Sequence, residues 1–201
     1  KDYYLKAVLI GVLILVLVGI QVFDMMKGKP DHALYVAIQD DVFEDETIAA
    51  LEDTLEEYYD LNPDQEIVRV SVAGDVSQIQ TYLYTGTIDV LIASEEQFQK
   101  WAESGYFFDA GRDSEVKFYE NYDEKYQFRT KYISGEDVRE SEDRNSIQAS
   151  DMTEYYCGVY LTDSEKYRQI GGYLEKPVAG IANATKQSER AKEFIEYMMD
   201  N

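Results

Sequence analysis

The chain has 201 residues, with 19 Lys and Arg against 40 Asp and Glu, which gives a formal net charge of −21. This balance argues against nucleic acid as a partner, because contact with phosphates needs clustered basic side chains. One cysteine and one histidine exclude an internal disulfide and argue against a multi-cysteine or histidine zinc centre and a Ser-His-Asp triad.

An apolar run near the start predicts a transmembrane helix. Residues 7–23 read AVLIGVLILVLVGIQVF, in which Gln21 is the only strongly polar side chain. With its apolar flanks the run reaches roughly the 20 residues that a helix needs to cross a bilayer core. A signal peptide or a lipoprotein is the alternative, but neither a small-residue cleavage site nor a cysteine directly follows the run. We therefore expect an uncleaved helix in the lipid bilayer.

The predicted organisation is a single-pass protein of the cell membrane. Residues 1–27 form the anchor with its flanks, residues 28–32 a linker, and residues 33–201 one α/β domain. Lysines are equally frequent on the two sides of the span, so flanking charge does not set the orientation. By comparison with ordinary signal anchors, we expect the C-terminal domain to be extracytoplasmic.

Strands and helices alternate in the first part of the domain. The strand-like runs are residues 33–38, 67–72 and 88–93. Apolar residues at helical spacing follow each run: Ile48, Leu51, Leu55 and Tyr58, then Val76, Ile79 and Leu83, then Phe98, Trp101 and Ala102. Ser94 with Gln97 predicts a capping box for the third helix, and Gly105 fits the position just after its end.

The alternation is interrupted and then resumes. Residues 111–154 show no sustained period and predict an irregular, exposed insertion. Residues 156–161 and 178–182 are strand-like, and a last helix has Ala191, Phe194, Ile195 and Met198 on one face, with Thr185 or Ser188 as its cap. These elements predict an α/β fold of three layers, with a doubly wound, mostly parallel sheet of about five strands, preceded by one transmembrane helix.

Two segments resemble a known family. Residues 85–110 read TGTIDVLIASEEQFQKWAESGYFFDA, and residues 178–200 read VAGIANATKQSERAKEFIEYMMD. Together with the order of elements, they resemble type II extracellular (periplasmic) solute-binding proteins of bacterial ABC importers. The features that carry the resemblance are a G-x-x-D turn from Gly86 to Asp89, the pattern Phe98…Trp101-Ala102…Gly105 followed by Phe107 and Asp109, and a helix of the A-x-x-F-I type at Ala191, Phe194 and Ile195.

The resemblance implies a binding fold in which the first strand lies between the second and third. Members of that family have two lobes that close on a ligand, whereas this chain has length for about one lobe. Residues 111–154 stand where the second lobe would be inserted, and a predicted membrane helix replaces the lipid-anchoring cysteine. The resemblance therefore implies a reduced, single-lobe relative.

The sequence favours a protein that is not an enzyme and needs no cofactor. Neither the GxGxxG nor the GxxxxGK[ST] phosphate loop is present. Cys157 lies in an apolar run, where packing is a better explanation than nucleophilic catalysis. The acidic residues 40–46 lack the spacing of a calcium loop, and a solvated helix start explains them better, so no metal is expected.

Two functions remain open. In the first, the domain is a non-catalytic binding module for a small-molecule ligand; in the second, it has lost its ligand and contacts a membrane protein partner. Ligands of open α/β sheets bind beyond the carboxyl ends of the strands. The candidate ligand-binding residues at that edge are Gln39, Asp40, Gly74, Asp75, Ser94, Glu95, Asn183 and Thr185. Tyr119, Tyr122, Tyr126 and Tyr132 could stack on a sugar, form a protein contact or simply pack.

Overall fold

The computed structural model describes residues 30–107, 118–132 and 153–200. The predicted membrane helix at residues 7–23, and with it the anchor and most of the linker, lies outside these residues. The same holds for most of the predicted insertion at residues 111–154. Among the residues that are described, no helix has the length and apolar character to cross a membrane.

Six strands and five α-helices form the described part of the chain. The strands are β1 (Asp31–Gln39), β2 (Glu66–Ala73), β3 (Val90–Ser94), β4 (Gln127–Tyr132), β5 (Thr153–Tyr160) and β6 (Pro177–Ile181). The helices are α1 (Asp45–Tyr58), α2 (Val76–Thr85), α3 (Glu95–Glu103), α4 (Glu165–Gln169) and α5 (Ser188–Met199). Two short 3-10 turns, Tyr119–Asn121 and Glu124–Tyr126, precede β4.

The strands form one mixed sheet in the order β2-β1-β3-β6-β5-β4. Strand β1 is parallel to β2 and to β3, which confirms that the first strand lies between the other two. The pairs β3–β6, β6–β5 and β5–β4 are antiparallel. The predicted mostly parallel sheet of about five strands is therefore wrong in its second half, because the apolar runs do not encode strand direction.

Strand β4 lies inside the segment predicted to be irregular, which is a second correction. Its sequence QFRTKY buries only Phe128 and Thr130 among the side chains that the structure describes, and its other described positions are half-buried or exposed. A strand at the end of a sheet needs apolar residues on one face only. With a single large apolar residue on that face, this strand has too weak an alternation to detect.

Helices cover both faces of the sheet, as the three-layer prediction requires. On one face, Leu34 of β1 packs in a core cluster with Leu55 of α1 and Phe194 of α5. On the other face, Tyr35 packs in a second cluster with residues of α2 and α3. Successive residues of β1 point to opposite faces, and both faces are buried, which explains its nearly continuous apolar sequence.

The helix ends differ from two of the predicted caps. The side chain of Ser94 makes no capping hydrogen bond, so the predicted capping box is wrong. Ser94 is the last residue of β3, where it pairs with Pro177, and the next amide, that of Glu95, donates to the Lys176 carbonyl at 3.0 Å. The prediction for Gly105 is confirmed: it follows α3 with φ of 75°.

The cap predicted for the last helix is also wrong, because Gln187 precedes α5 and Ser188 is already its first residue. Thr185 contributes to the turn ahead of that helix, since its hydroxyl accepts the Gln187 amide at 2.9 Å.

Candidate functional site at the carboxyl-end edge of the sheet

The strand register brings six strand ends to one edge of the sheet, called here the carboxyl-end edge. Strands β1, β2, β3 and β5 end at this edge, and the antiparallel strands β6 and β4 begin there. The aligned pairs are Gln39 with Ala73, Ile38 with Ile92, Ser94 with Pro177, Tyr160 with Val178 and Gln127 with Val159. The loop residues that follow β1, β2, β3 and β5 and those that precede β6 and β4 therefore all lie along this edge.

Six of the eight predicted ligand-binding residues lie at this edge. They are Gln39, Asp40, Gly74, Asp75, Ser94 and Glu95. Two of them have structural roles. The Gln39 side chain is buried and accepts a hydrogen bond from the Trp101 indole at 2.7 Å. Asp75 caps α2 by accepting the amides of Ser77 and Gln78 at 2.8 and 3.4 Å.

Asn183 and Thr185 lie at the opposite edge, which corrects their predicted position. They follow β6, which runs antiparallel to β3 and pairs its last residue, Ile181, with Val90 at the start of that strand. The Asn183 amide donates to the Gly105 carbonyl at 2.7 Å, and the Thr185 hydroxyl donates to the Asp89 carboxylate. Both side chains therefore hold the turns at the amino-terminal end of β3.

A cavity of about 280 Å³ opens at the carboxyl-end edge where β4, β5 and β6 meet. Its lining residues are Lys125, Tyr126, Tyr160, Thr162, Asp163 and Lys176. On one side, Asp163 Oδ2 accepts a hydrogen bond from the Tyr126 hydroxyl at 3.0 Å. The same oxygen forms an ion pair with Lys125 Nζ at 3.3 Å. The Lys125 ammonium also lies 4.2 Å from the centre of the Tyr126 ring.

Glu95 connects the predicted residues to this cavity. Its Oε1 accepts a hydrogen bond from the Tyr160 hydroxyl at 2.6 Å, and its Oε2 pairs with Lys176 Nζ at 2.9 Å. Two similar groups thus meet at the cavity, each a carboxylate held by one tyrosine and one lysine. The Asp163 carboxylate lines the cavity itself, whereas Glu95 holds Tyr160 and Lys176, which line it. We call the two groups the Asp163 group and the Glu95 group.

Hydrogen bonding lowers the pKa of both carboxylates. The Tyr160 hydroxyl, and after it Lys176, lowers the pKa of Glu95. Tyr126, followed by Lys125, lowers the pKa of Asp163 in the same way. A carboxylate with a lowered pKa is a weak general base, whereas it is a good fixed hydrogen-bond acceptor. The arrangement is therefore suited to holding a polar molecule.

The acidic residues 40–46 show a structural role at Asp41. Its carboxylate is buried, accepts the Tyr167 hydroxyl and accepts the Tyr173 amide at 3.2 Å. Within residues 30–107, 118–132 and 153–200, no group of three or more His, Cys, Asp or Glu could hold a metal ion.

One of the four predicted sugar-stacking tyrosines lines the cavity, namely Tyr126. Tyr119 is fully buried and its hydroxyl accepts the Ile181 amide at 3.0 Å, while Tyr122 packs against the core. The side chain of Tyr132 lies outside the described part. The sequence does not predict that Tyr160 and Lys176 belong to this site. The two residues meet there because β6 runs antiparallel to β5.

The fold is that of a three-layer α/β domain with a cavity at one sheet edge. No protein-family model matches the sequence, and no curated protein matches it. Iron-bound HitA from Pseudomonas aeruginosa is similar in structure, with a TM-score of 0.43 and 9% identity over 86% of this chain and 82% of that chain. A substrate-binding domain assigned to a molybdenum ABC transporter from Clostridium difficile has a TM-score of 0.39 and 14% identity over 85% and 93% of the two chains. Similarity at this level identifies no function for this chain.

Proposed function

We propose that this chain is a non-catalytic binding module that holds a small polar solute at the carboxyl-end edge. The observation that carries the proposal is the cavity of about 280 Å³ between the Asp163 group and the Glu95 group. It is lined by one fixed carboxylate acceptor, two ammonium groups and two tyrosine rings. A ligand with several hydroxyl or amide groups uses all three, and a volume near 300 Å³ is the lower end for small-molecule sites.

The proposal includes an anchor and a location. Residues 7–23 would hold the module in the cell membrane as a single-lobe relative of solute-binding proteins, with the domain outside the cytoplasm. The uninterrupted apolar run supports the anchor. Protease treatment of intact cells is expected to digest residues 33–201, and digestion only after the membrane is permeabilised would contradict this topology.

Thermal unfolding of the full chain in lipid nanodiscs tests solute binding. We expect one class among sugars, amino acids and short peptides to raise the melting temperature, and divalent cations to leave it unchanged. A ligand at a hundred times its dissociation constant adds about 2.7 kcal/mol of stability. The shift is expected to disappear in Tyr126→Ala, which removes a cavity wall, and to persist in Tyr84→Ala, whose side chain is 78% exposed on α2.

A protein-interaction role is the alternative, and a specific observation favours it. Val42 and Tyr173 are 77% and 82% exposed, and their amides both donate to the Asp41 carboxylate, at 2.9 and 3.2 Å, so they are neighbours near the carboxyl-end edge. Exposed apolar and aromatic side chains that lie together are typical of protein contacts. If no solute class shifts the melting temperature, and Tyr173→Asp abolishes capture of a membrane protein partner, this alternative replaces the solute proposal.

A further inference from the structure

A second cavity, of about 380 Å³, shares no lining residue with the cavity at the carboxyl-end edge. It is formed on the sheet face that α2 covers, beside the outer strand β2. Strands β1 and β2 contribute Tyr35 and Arg69, and α2 contributes Tyr82. Its base includes Ile79 and Ile88, which are fully buried. The cavity therefore has two buried isoleucines at its base, with aromatic, basic and neutral polar side chains around them.

The charge of this cavity is opposite to that of the chain. The chain has 40 acidic residues, yet none of the described residues that line the cavity is acidic. Its charged member is Arg69, which no carboxylate pairs with in the part of the chain that the structure describes. Arg129 and Arg190, in contrast, pair with Glu124 and Glu66 at 2.7 and 2.8 Å. An unpaired arginine in so acidic a protein leaves its hydrogen-bond donors available to a ligand.

The aromatic walls are held in place by their own contacts. The Tyr35 ring is 8% exposed, and its hydroxyl lies 2.9 Å from the Ser71 hydroxyl. The Tyr82 ring centre lies 6.2 Å from that of Tyr35, at an angle of 58° between the two planes. The Arg69 guanidinium lies 5.9 Å from the centre of the Tyr35 ring. The Arg69 guanidinium thus lies beside the Tyr35 ring, which in turn contacts the Tyr82 ring.

We propose that this cavity binds a small carboxylic acid with a flat, apolar body. The carboxylate accepts two N–H hydrogen bonds from Arg69, because the guanidinium fork matches the two oxygens of a carboxylate. The body packs against Tyr35 and Tyr82 above the two buried isoleucines. The positive charge of Arg69 disfavours a cationic ligand. A neutral ligand of the same shape loses the charge-assisted pair of hydrogen bonds.

The probe is benzoate. Benzamide is its neutral analogue, and benzylamine is its cationic analogue. The full chain in nanodiscs is titrated with each compound and followed by ligand-observed NMR. We expect benzoate to bind at least about ten-fold more tightly than benzamide, since charge-assisted hydrogen bonds are roughly twice as strong as neutral ones. Benzylamine is expected not to bind. No benzoate binding up to about 20 mM, a concentration that detects even millimolar affinity, would overturn the proposal.

Variants distinguish this cavity from other parts of the protein. Arg69→Gln is expected to weaken benzoate binding about ten-fold or more, and Arg69→Lys, which keeps the charge but not the fork, to weaken it less. Arg69 is exposed, so both variants should keep the wild-type melting temperature. Lys131→Gln removes the same charge from an exposed position on β4 and should leave binding unchanged. Unchanged affinity in Arg69→Gln contradicts the proposal.

One more variant separates this inference from the solute proposal. Tyr126→Ala alters the carboxyl-end cavity and touches no residue that lines the second cavity. Benzoate affinity should therefore be the same in Tyr126→Ala as in the wild type. A loss of affinity there, together with unchanged affinity in Arg69→Gln, would place the benzoate at the carboxyl-end cavity and overturn the assignment to Arg69.

Discussion

Replacing Phe98 with alanine is expected to lower the free energy of unfolding by about 3–5 kcal/mol, as for other fully buried phenylalanines. The Phe98 ring is 0% exposed, stacks on Phe107 at 4.1 Å between ring centres and meets the edge of Phe128 at 5.0 Å. A Cβ on Gly180 would lie 2.4 Å from this ring, so the ring already fills the space above that glycine. Without the ring, a glycine backbone cannot fill the cavity.

Urea unfolding of the full chain, followed by circular dichroism, measures this loss. The control is Tyr84→Ala, which removes an aromatic ring that is 78% exposed and should change stability by less than about 0.5 kcal/mol. A loss below about 1 kcal/mol in Phe98→Ala would mean that neighbouring side chains refill the site, contrary to the packing described here.

The same packing connects the core to the carboxyl-end site. Phe98 belongs to α3, whose first residue is Glu95, so the ring fixes the position from which that carboxylate reaches Tyr160 and Lys176. Both partners are on or next to β5 and β6, the strands that carry Gly158 and Gly180 under the Phe98 ring. The geometry of the Glu95 group therefore depends on the contact between α3 and the sheet. Gly158 and Gly180 allow a close approach there, because they have no side chains.

The sequence predicts the first half of the sheet well for a physical reason. Strand β1 is buried on both faces, so its residues must be apolar throughout, and this leaves a clear pattern. The helices α1, α2 and α3 each bury one apolar stripe at helical spacing, which is equally clear. The parallel order of β2, β1 and β3 then follows from the alternation of strands and helices.

The second half of the sheet could not be predicted in the same way. The direction of a strand depends on whether the connection before it crosses to the other edge of the sheet. The connection from β5 to β6, which contains α4, stays at one edge, so β6 runs antiparallel to β5. As a result, Asn183 and Thr185 are at the edge opposite the one expected. The Glu95 group joins residues 65 and 81 positions apart in sequence, and neither spacing carries a local signal.

The turn from Gly86 to Asp89, which carries part of the family resemblance, has a packing role. Gly86 ends α2 with φ of 68°, and the Asp89 carboxylate accepts the Tyr35 amide at 2.8 Å and the Thr185 hydroxyl. Burial raises the pKa of Asp89, so this carboxylate is held among neighbouring elements rather than solvated. The motif lies at the amino-terminal end of β3, away from the polar groups of the carboxyl-end cavity, and its Thr87 and Ile88 line the second cavity.

Gly86→Ala is accordingly expected to destabilise the protein by about 2–5 kcal/mol. Two effects add. A φ of 68° costs an alanine about 1–2 kcal/mol, because its Cβ crowds the following carbonyl in the left-handed region. In addition, the new Cβ would lie 2.1 Å from the Ala184 carbonyl oxygen, which is backbone and cannot rotate away. Such an overlap forces a backbone shift that typically costs a further 1–3 kcal/mol, roughly as overpacking does elsewhere.

Gly171→Ala separates the two effects. Gly171 has φ of 85°, so alanine there carries similar backbone strain, but a Cβ at that position meets no atom within 4 Å. Its cost should be limited to about 1–2 kcal/mol, and the difference between the two variants measures the contact with Ala184. Both are measured by urea unfolding against the same wild type. Equal losses would show that the turn before Thr185 moves freely, and the close contact between the end of α2 and this turn would then contribute nothing to stability.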